Sequence, residues 1–366
     1  MNNLRETEQQ FLDYILRIIW QHQRNPQIIY PILQDNLEKL TVDFAQRLRY
    51  WGELQISQSL PERSQTIATL LTWLSDLILY FPLGDKTANI AIVKAGYECG
   101  LIFYTPETNP FAWAEIMMNL GIAYEEDPQA DPAQKWEDAI NCYQKASQVF
   151  TREVDPEKWA SIQENLGNAY RNREQGKVEI NLQQAIDFYQ NALEIFHPAQ
   201  YPKQWGVTKH NLGQVYFKLS ILNIKESSQD YEQCLQIAIA HYEQALQTLA
   251  KDVYPDLWAL SHMSLGHAYS YLLRGNPYQN YEKAQQHYEN ALSVYTPQTY
   301  PFYYQQVKGG QKRLQELIQV ISESEQNQEE QEDFSFITEA LNIILASQGD
   351  VQKVFAFLEK NLDQLN

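Results

Sequence analysis

The chain has 366 residues, 44% hydrophobic and 20% charged, so it can bury a large core and does not have the composition of a disordered polypeptide. Its 46 acidic against 28 basic residues give a formal charge of −18. That charge repels phosphate backbones and anionic headgroups, so nucleic acid and membrane surfaces are not expected as partners. It favours a basic peptide or protein face, unless the acidity serves only solubility.

The first region, 1–60, reads as a helical hairpin. Its apolar stretch from Phe11 to Trp20 is broken by Asp13 and Arg17 and is too short to span a bilayer. A polar turn, Gln23-Arg24-Asn25-Pro26, leads to a second apolar stretch over Pro31 to Leu40. No signal peptide is recognised ahead of it. Cys99, Cys142 and Cys234 form no CxxC pair and read as small buried hydrophobes in a reducing compartment, so the expected location is cytoplasmic.

Residues 61–321 are organised by repetition. A P-x-x-W phrase followed by N-L-G-x-A-Y occurs at Pro110/Trp113 with Gly121 and Tyr124, and at Pro156/Trp159 with Gly167 and Tyr170. It returns at Pro202/Trp205 with Gly213 and Tyr216, and at Pro255/Trp258 with Gly266 and Tyr269. Each is followed by A-I-x-x-Y-x-x-A or a close variant, with alanines at 139, 185, 238 and 284 and tyrosines at 143, 189, 242 and 288. The glycine steps are 46, 46 and 53, so seven extra residues fall between Gly213 and Ala238. Seven residues make about two helical turns and keep an apolar face inward. Small residues at helical spacing make hollows that an aromatic ring fills. Glycine gives up about 1 kcal/mol of helix propensity relative to alanine, which suits a position that a neighbouring helix must approach closely. The proline after each second helix is expected to stop it. A degenerate copy built on Val93, Tyr97 and Gly100 precedes the first clear one, with its first helix over 67–81. The units are therefore about 67–105, 110–151, 156–197, 202–250 and 255–296, with a capping helix at 300–321.

Leu-Gly-x-x-Tyr, then Ala-x-x-x-Tyr-x-x-Ala and a proline, resembles the tetratricopeptide repeat, stretched as in kinesin light chains. The P-x-x-W-A and N-L-G-x-A-Y wording resembles the repeat regions of cyanobacterial proteins that often carry a caspase-like CHAT protease domain. No such domain follows the repeats in this sequence. The resemblance covers roughly Ile67 to Ile321 and implies an all-α solenoid of antiparallel helical hairpins. It implies little about function.

Residues 322–333 hold six acids and no base and are expected to be a flexible linker. Residues 334–366 read as a C-terminal hairpin similar to 11–40. Phe11 aligns with Phe336, Leu16 with Leu341, Leu37 with Leu362 and Leu40 with Leu365, without a gap. The tethered hairpin is expected either to cover its own stack or to exchange with a second copy, making a homodimer.

No phosphate-binding, dinucleotide or metalloprotease motif is present. His262 and His267 miss the i, i+4 spacing of two ligands on one helix face. His241 and His287 share a repeat position with Cys142 and Phe188, which argues for packing rather than metal binding. No cofactor, metal or catalytic residue is expected. The resemblance places an inner groove on the first helices, at six and three residues before the glycine and one, four and five after it. The expected partner-binding residues are Glu115, Met118, Ile122, Glu125 and Glu126 in the first clear unit. In the next they are Ser161, Glu164, Asn168, Arg171 and Asn172. The third unit supplies Val207, His210, Gln214, Phe217 and Lys218, and the fourth Leu260, Met263, His267, Ser270 and Tyr271. Chaperone-tail clamps in the family need Lys and Arg where this chain has Glu164, Val207 and Asn211, so acidic chaperone tails are not expected. The expected function is an adaptor or scaffold that binds a protein or peptide in the groove. The alternatives are a regulatory subunit of a separately encoded, protease-like enzyme and a cryptic cysteine hydrolase.

Overall fold

The computed structural model describes residues 4–223, 228–272 and 275–327, with the side chains of 228 and 320–327 excepted. The expected C-terminal hairpin, half of the linker and the expected exchange between copies lie outside the described residues. Every regular element described is helical, fourteen α-helices and one short 3-10 turn. Among the described residues, no helix is long and apolar enough to cross a membrane.

The chain divides into two compact units between Ile195 and Phe196. The first holds α1 (Glu6–Gln21), α2 (Pro26–Gln34), α3 (Val42–Gln58), α4 (Pro61–Leu79), α5 (Lys86–Phe103), α6 (Pro110–Glu125), α7 (Pro132–Ser147), α8 (Pro156–Asn172) and α9 (Val178–Leu193). Helices α4/α5, α6/α7 and α8/α9 pair as hairpins; α5 packs on α6 and α7 on α8, while the first helices α4, α6 and α8 also touch in series. The second unit holds α10 (Pro202–Asn223), α11 (Ser228–Leu246), α12 (Pro255–Ser270), α13 (Pro277–Leu292) and α14 (Pro301–Asn327). Its hairpins are α10/α11 and α12/α13; α10 touches α12, and α12 touches α14.

The repeat phrases explain the pairing. Tyr143 and Tyr189 are completely buried, and a Cβ placed on Gly121 or Gly167 would come within 2.5 and 2.6 Å of the respective rings. In the second unit Gly213 faces Tyr242 and Gly266 faces Tyr288 in the same way, both at 2.6 Å. Only a missing Cβ lets the second-helix tyrosine lie flat on the first helix. The ring before that tyrosine packs on the tyrosine of the first helix: Phe188 on Tyr170, His241 on Tyr216 and His287 on Tyr269, with centroids at 5.2, 5.5 and 5.5 Å. Three units place a flat conjugated ring there, and the first clear one places the buried Cys142.

The prolines act differently from the expectation. Helix α7 has already ended at Ser147 when Pro156 opens α8, and α13 ends at Leu292 before Pro301 opens α14. Proline fits the first helical turn because that turn's N–H groups have no intrahelical partner anyway. Polar residues cap the same ends: Asn109 accepts from the Ala112 amide at 3.1 Å and Asp155 from the Lys158 amide at 3.0 Å. The second helices close on buried apolar residues at one repeat position, with the amides of Phe150, Leu249 and Tyr295 donating to the carbonyls of Ala146, Ala245 and Ala291. The longer third repeat is absorbed by longer helices: α10 has 22 residues against 17 in α8, and α11 has 19 against 16 in α9.

The N-terminal region carries a third helix. Helix α3 buries Phe44, Leu48 and Ile56 and packs on α4 and α5, with Gly52 so close to Cys99 that a Cβ would lie 2.6 Å from its Sγ. Helix α1 is tied to α3 by Arg47, which grips Glu8 through two N–H groups at 2.6 and 2.9 Å, and by the Phe11–Phe44 ring contact. At the other end α14 continues to Asn327, beyond the expected linker boundary at Ser322.

Candidate functional site

In α8 the expected groove positions fall between the buried stripes of the helix. In α8, Ile162, Leu166, Ala169 and Tyr170 are buried, while Glu164, Asn168, Arg171 and Asn172 keep partial access to solvent. Asn168 accepts the Tyr189 hydroxyl at 2.7 Å, so this position is tied to the core tyrosine beneath it. Asn172 donates to the Asn168 carbonyl at 3.0 Å.

In α6 the acids divide. Glu115 and Glu126 are exposed and paired with Lys158 and Lys86 respectively. Such exposed pairs are worth about 0–1 kcal/mol, so an incoming cation can displace them. Glu125 is enclosed. Its carboxyl faces the Tyr143 hydroxyl, but neither that hydroxyl nor Glu125 Oε1 completes a hydrogen bond among the described residues. Burial pushes the Glu125 carboxyl up to about 7, with nearby Arg171 and Lys135 only partly offsetting it. Met118 and Glu115 line one cavity of about 250 Å³, whereas Ile122 and Glu126 line another of about 380 Å³ with Tyr80 and Lys86.

In the second unit several expected residues belong to the packing. His210 is only 4% exposed and shares hydrogen bonds with Ser261 Oγ at 3.1 Å and with Gln214 at 3.0 Å. It therefore lines the α10–α12 contact and is not open groove surface. His267 is enclosed against the Tyr288 ring, and burial lowers its imidazole to about 4. Phe217 and Tyr271 meet with centroids at 5.9 Å, Met263 packs against the core, and Lys218 is exposed.

Sequence reasoning did not carry the groove positions into the degenerate first unit. One step of 46 before Ile122 stands Asp76, and the same step before Asn119 gives Trp73. The structure brings both together with Arg24 from the turn between α1 and α2. Arg24 Nη1 donates to Asp76 Oδ2 at 2.8 Å, and its guanidinium lies 4.9 Å from the Trp73 ring. Tyr97 and Asn119 donate to Asp76 Oδ1 at 2.9 and 3.1 Å. Trp20 stacks on Trp73 at 6.2 Å. The Asp76 carboxyl is nevertheless raised, because burial outweighs these donors. The recurring 46-residue step was the signal that could have found the cluster.

A pair of histidines in the second unit was also missed. His262 Nδ1 lies 2.8 Å from His287 Nδ1. Burial lowers both imidazoles, each to about 4, helped at His262 by His287 and Lys251 and at His287 by Lys283. The three thiols are shifted up by burial, Cys99 to about 12 and Cys142 to about 11. Among the described residues no group of three or more His, Cys, Asp or Glu could hold a metal ion.

No family model matches this chain, and no curated protein matches it. Among solved structures, the crystal structure of BtubC (BKLC) from P. vanneervenii is similar, with 15% identity and a TM-score of 0.39 over 71% of this chain and 91% of that one.

Proposed function

We propose that this chain is a tetratricopeptide-type scaffold that holds a protein or peptide partner on the accessible positions of its first helices. The observation that carries the reading is the division of labour within those helices. Glycine, alanine and leucine positions are spent on packing, while the positions one, four and five after the glycine in α8 stay polar and partly open above buried tyrosines. Side-by-side first helices within each unit would offer a partner several such positions in series, the geometry that suits an extended peptide or a helix. The net charge and the displaceable pairs at Glu115 and Glu126 favour a basic partner.

Catalysis is the less supported alternative. A nucleophilic cysteine needs its thiol lowered by nearby cations, and all three here are shifted the other way. Buried reduced thiols also fit a cytoplasmic setting. The test is affinity capture from the native organism with the wild-type chain and with a variant carrying Glu126→Lys and Arg171→Glu. The reading expects a protein retained by the first and lost by the second, with helicity unchanged. Identical retention removes the groove.

A further inference from the structure

The corner formed by Trp73, Asp76 and Asn119 is already occupied by a side chain of this same protein. Arg24 reaches it from a turn in which Gln23 and Arg24 both stand in the left-handed region, at φ 47° and 61°. Non-glycine residues adopt that region at a steric cost, so such a turn stands where it gains something in return. Here the gain is a guanidinium set against an indole and bonded to a carboxylate; a planar fork that stacks and can bind a carboxylate through two N–H groups is what separates arginine from a compact ammonium.

The fit is incomplete in a way that leaves room for a better ligand. Arg24 offers Asp76 one N–H, and its side chain remains 46% exposed. Asp76 is mostly covered, and burial still holds its carboxyl above the usual range despite Tyr97, Asn119 and Arg24. Arg24, Trp73, Asp76 and Asn119 line the same cavity of about 250 Å³. An arginine entering from the open side could present two N–H groups to the carboxylate edge, where Arg24 presents one.

We propose that Trp73, Asp76 and Asn119 form an arginine-recognition site for a basic peptide partner, and that Arg24 is a built-in competitor that occupies it until such a partner arrives. This rests on the groove reading above and names the chemistry of its guest. Replacing Arg24 empties the corner without touching its walls. Because the wild-type site is free for only a fraction of the time, its apparent affinity is reduced by that fraction.

The test follows the indole N–H signal of Trp73 in 15N-indole-labelled protein, assigned with Trp73→Phe, during titration with N-acetyl-arginine amide. Arg24→Gln is expected to reach half-saturation at about one tenth of the concentration the wild type needs. Adding Asp76→Asn to it should abolish the response, and the lysine analogue should shift the signal far less. Circular dichroism checks the fold. Should Arg24→Gln loosen the N-terminal hairpin, Arg24→Lys, which keeps the charge and loses the plane, is expected to fall between it and the wild type. The proposal is overturned if the Arg24 variants respond at no lower concentration than the wild type, or if arginine and lysine act alike. A silent Trp73 signal beside a partner still lost on changing Glu126 and Arg171 would remove this site and leave the groove reading standing.

Discussion

Replacing Gly167 by alanine tests the packing that defines the repeat. The new Cβ would sit 2.6, 2.7 and 2.9 Å from the Cε1, Cδ1 and Cζ atoms of Tyr189, a ring with no solvent exposure. Carbon atoms pack best at about 3.5–4.0 Å, so ring or helix must move by about 1 Å. Overpacking of a close-packed core costs about 1–3 kcal/mol. Moving the ring also stretches the 2.7 Å bond from the Tyr189 hydroxyl to Asn168, worth about 1 kcal/mol. Alanine returns about 1 kcal/mol in helix propensity. The net expectation is a loss of about 2 kcal/mol. With a urea slope of about 2 kcal/mol per molar, the midpoint should fall by about 1 M. The control is Gly309→Ala in α14, where the nearest atom to a Cβ is Arg313 Nη1 at 3.9 Å and only the propensity gain should appear. Urea unfolding followed by circular dichroism measures both. If Gly167→Ala is as stable as the wild type, the account of why glycine stands at that position is wrong.

Four further outcomes follow from the same structure. Glu125 has a folded-state pKa raised to about 7, so its contribution to stability is complete below the unfolded-state value near 4.5 and is lost as pH rises through 7. Glu125→Gln should therefore gain on the wild type in urea midpoint at about pH 8 and not at about pH 4, and equal differences at both would refute the burial argument. His262 and His287 are lowered from 6.5 to about 4, so their contribution is present above pH 6.5 and lost as pH falls toward 4. His287→Phe, which copies Phe188 stacked on Tyr170, should fold and lose part of that acid sensitivity in unfolding midpoints measured between those pH values. Gly96→Ala should be harsher than Gly167→Ala, a drop of about 3 kcal/mol in urea unfolding, because its Cβ would meet the Leu71 backbone carbonyl at 2.8 Å as well as Ser75 Oγ. Ellman's reagent should label Cys234 in the folded protein, while Cys99 and Cys142, buried and shifted up, react only after unfolding.

The fold was legible where a residue's size was tied to a neighbour one hairpin away. Gly121 and Tyr143 recur together because each is meaningless without the other, and that coupling survives at a fixed step. Legibility failed where the same position changed its residue. Ser75 stands one step before Gly121, so the first unit looks degenerate in sequence, and neither its groove residue Asp76 nor the neighbouring Trp73 is assigned. Helix α3 repeats nothing, and only its contacts with α4 and α5 reveal that it belongs to the stack. The prolines were assigned to the wrong helix because a ring that ends one helix and a ring that begins the next look alike in a linear pattern. The site was legible as a set of positions but not as chemistry. Nothing in the local sequence says that Glu125 is enclosed, that His210 spends both nitrogens on its neighbours, or that Arg24 folds back onto Asp76.

The most direct measurement of the central claim is partner retention compared across two surfaces. One variant would carry Glu126→Lys and Arg171→Glu on the first helices of the first unit, and the other Asp187→Lys on the exposed side of α9 in the same unit. Loss of the captured protein with the first variant and full retention with the second is the predicted result. Retention by both, with helicity intact, would contradict the account.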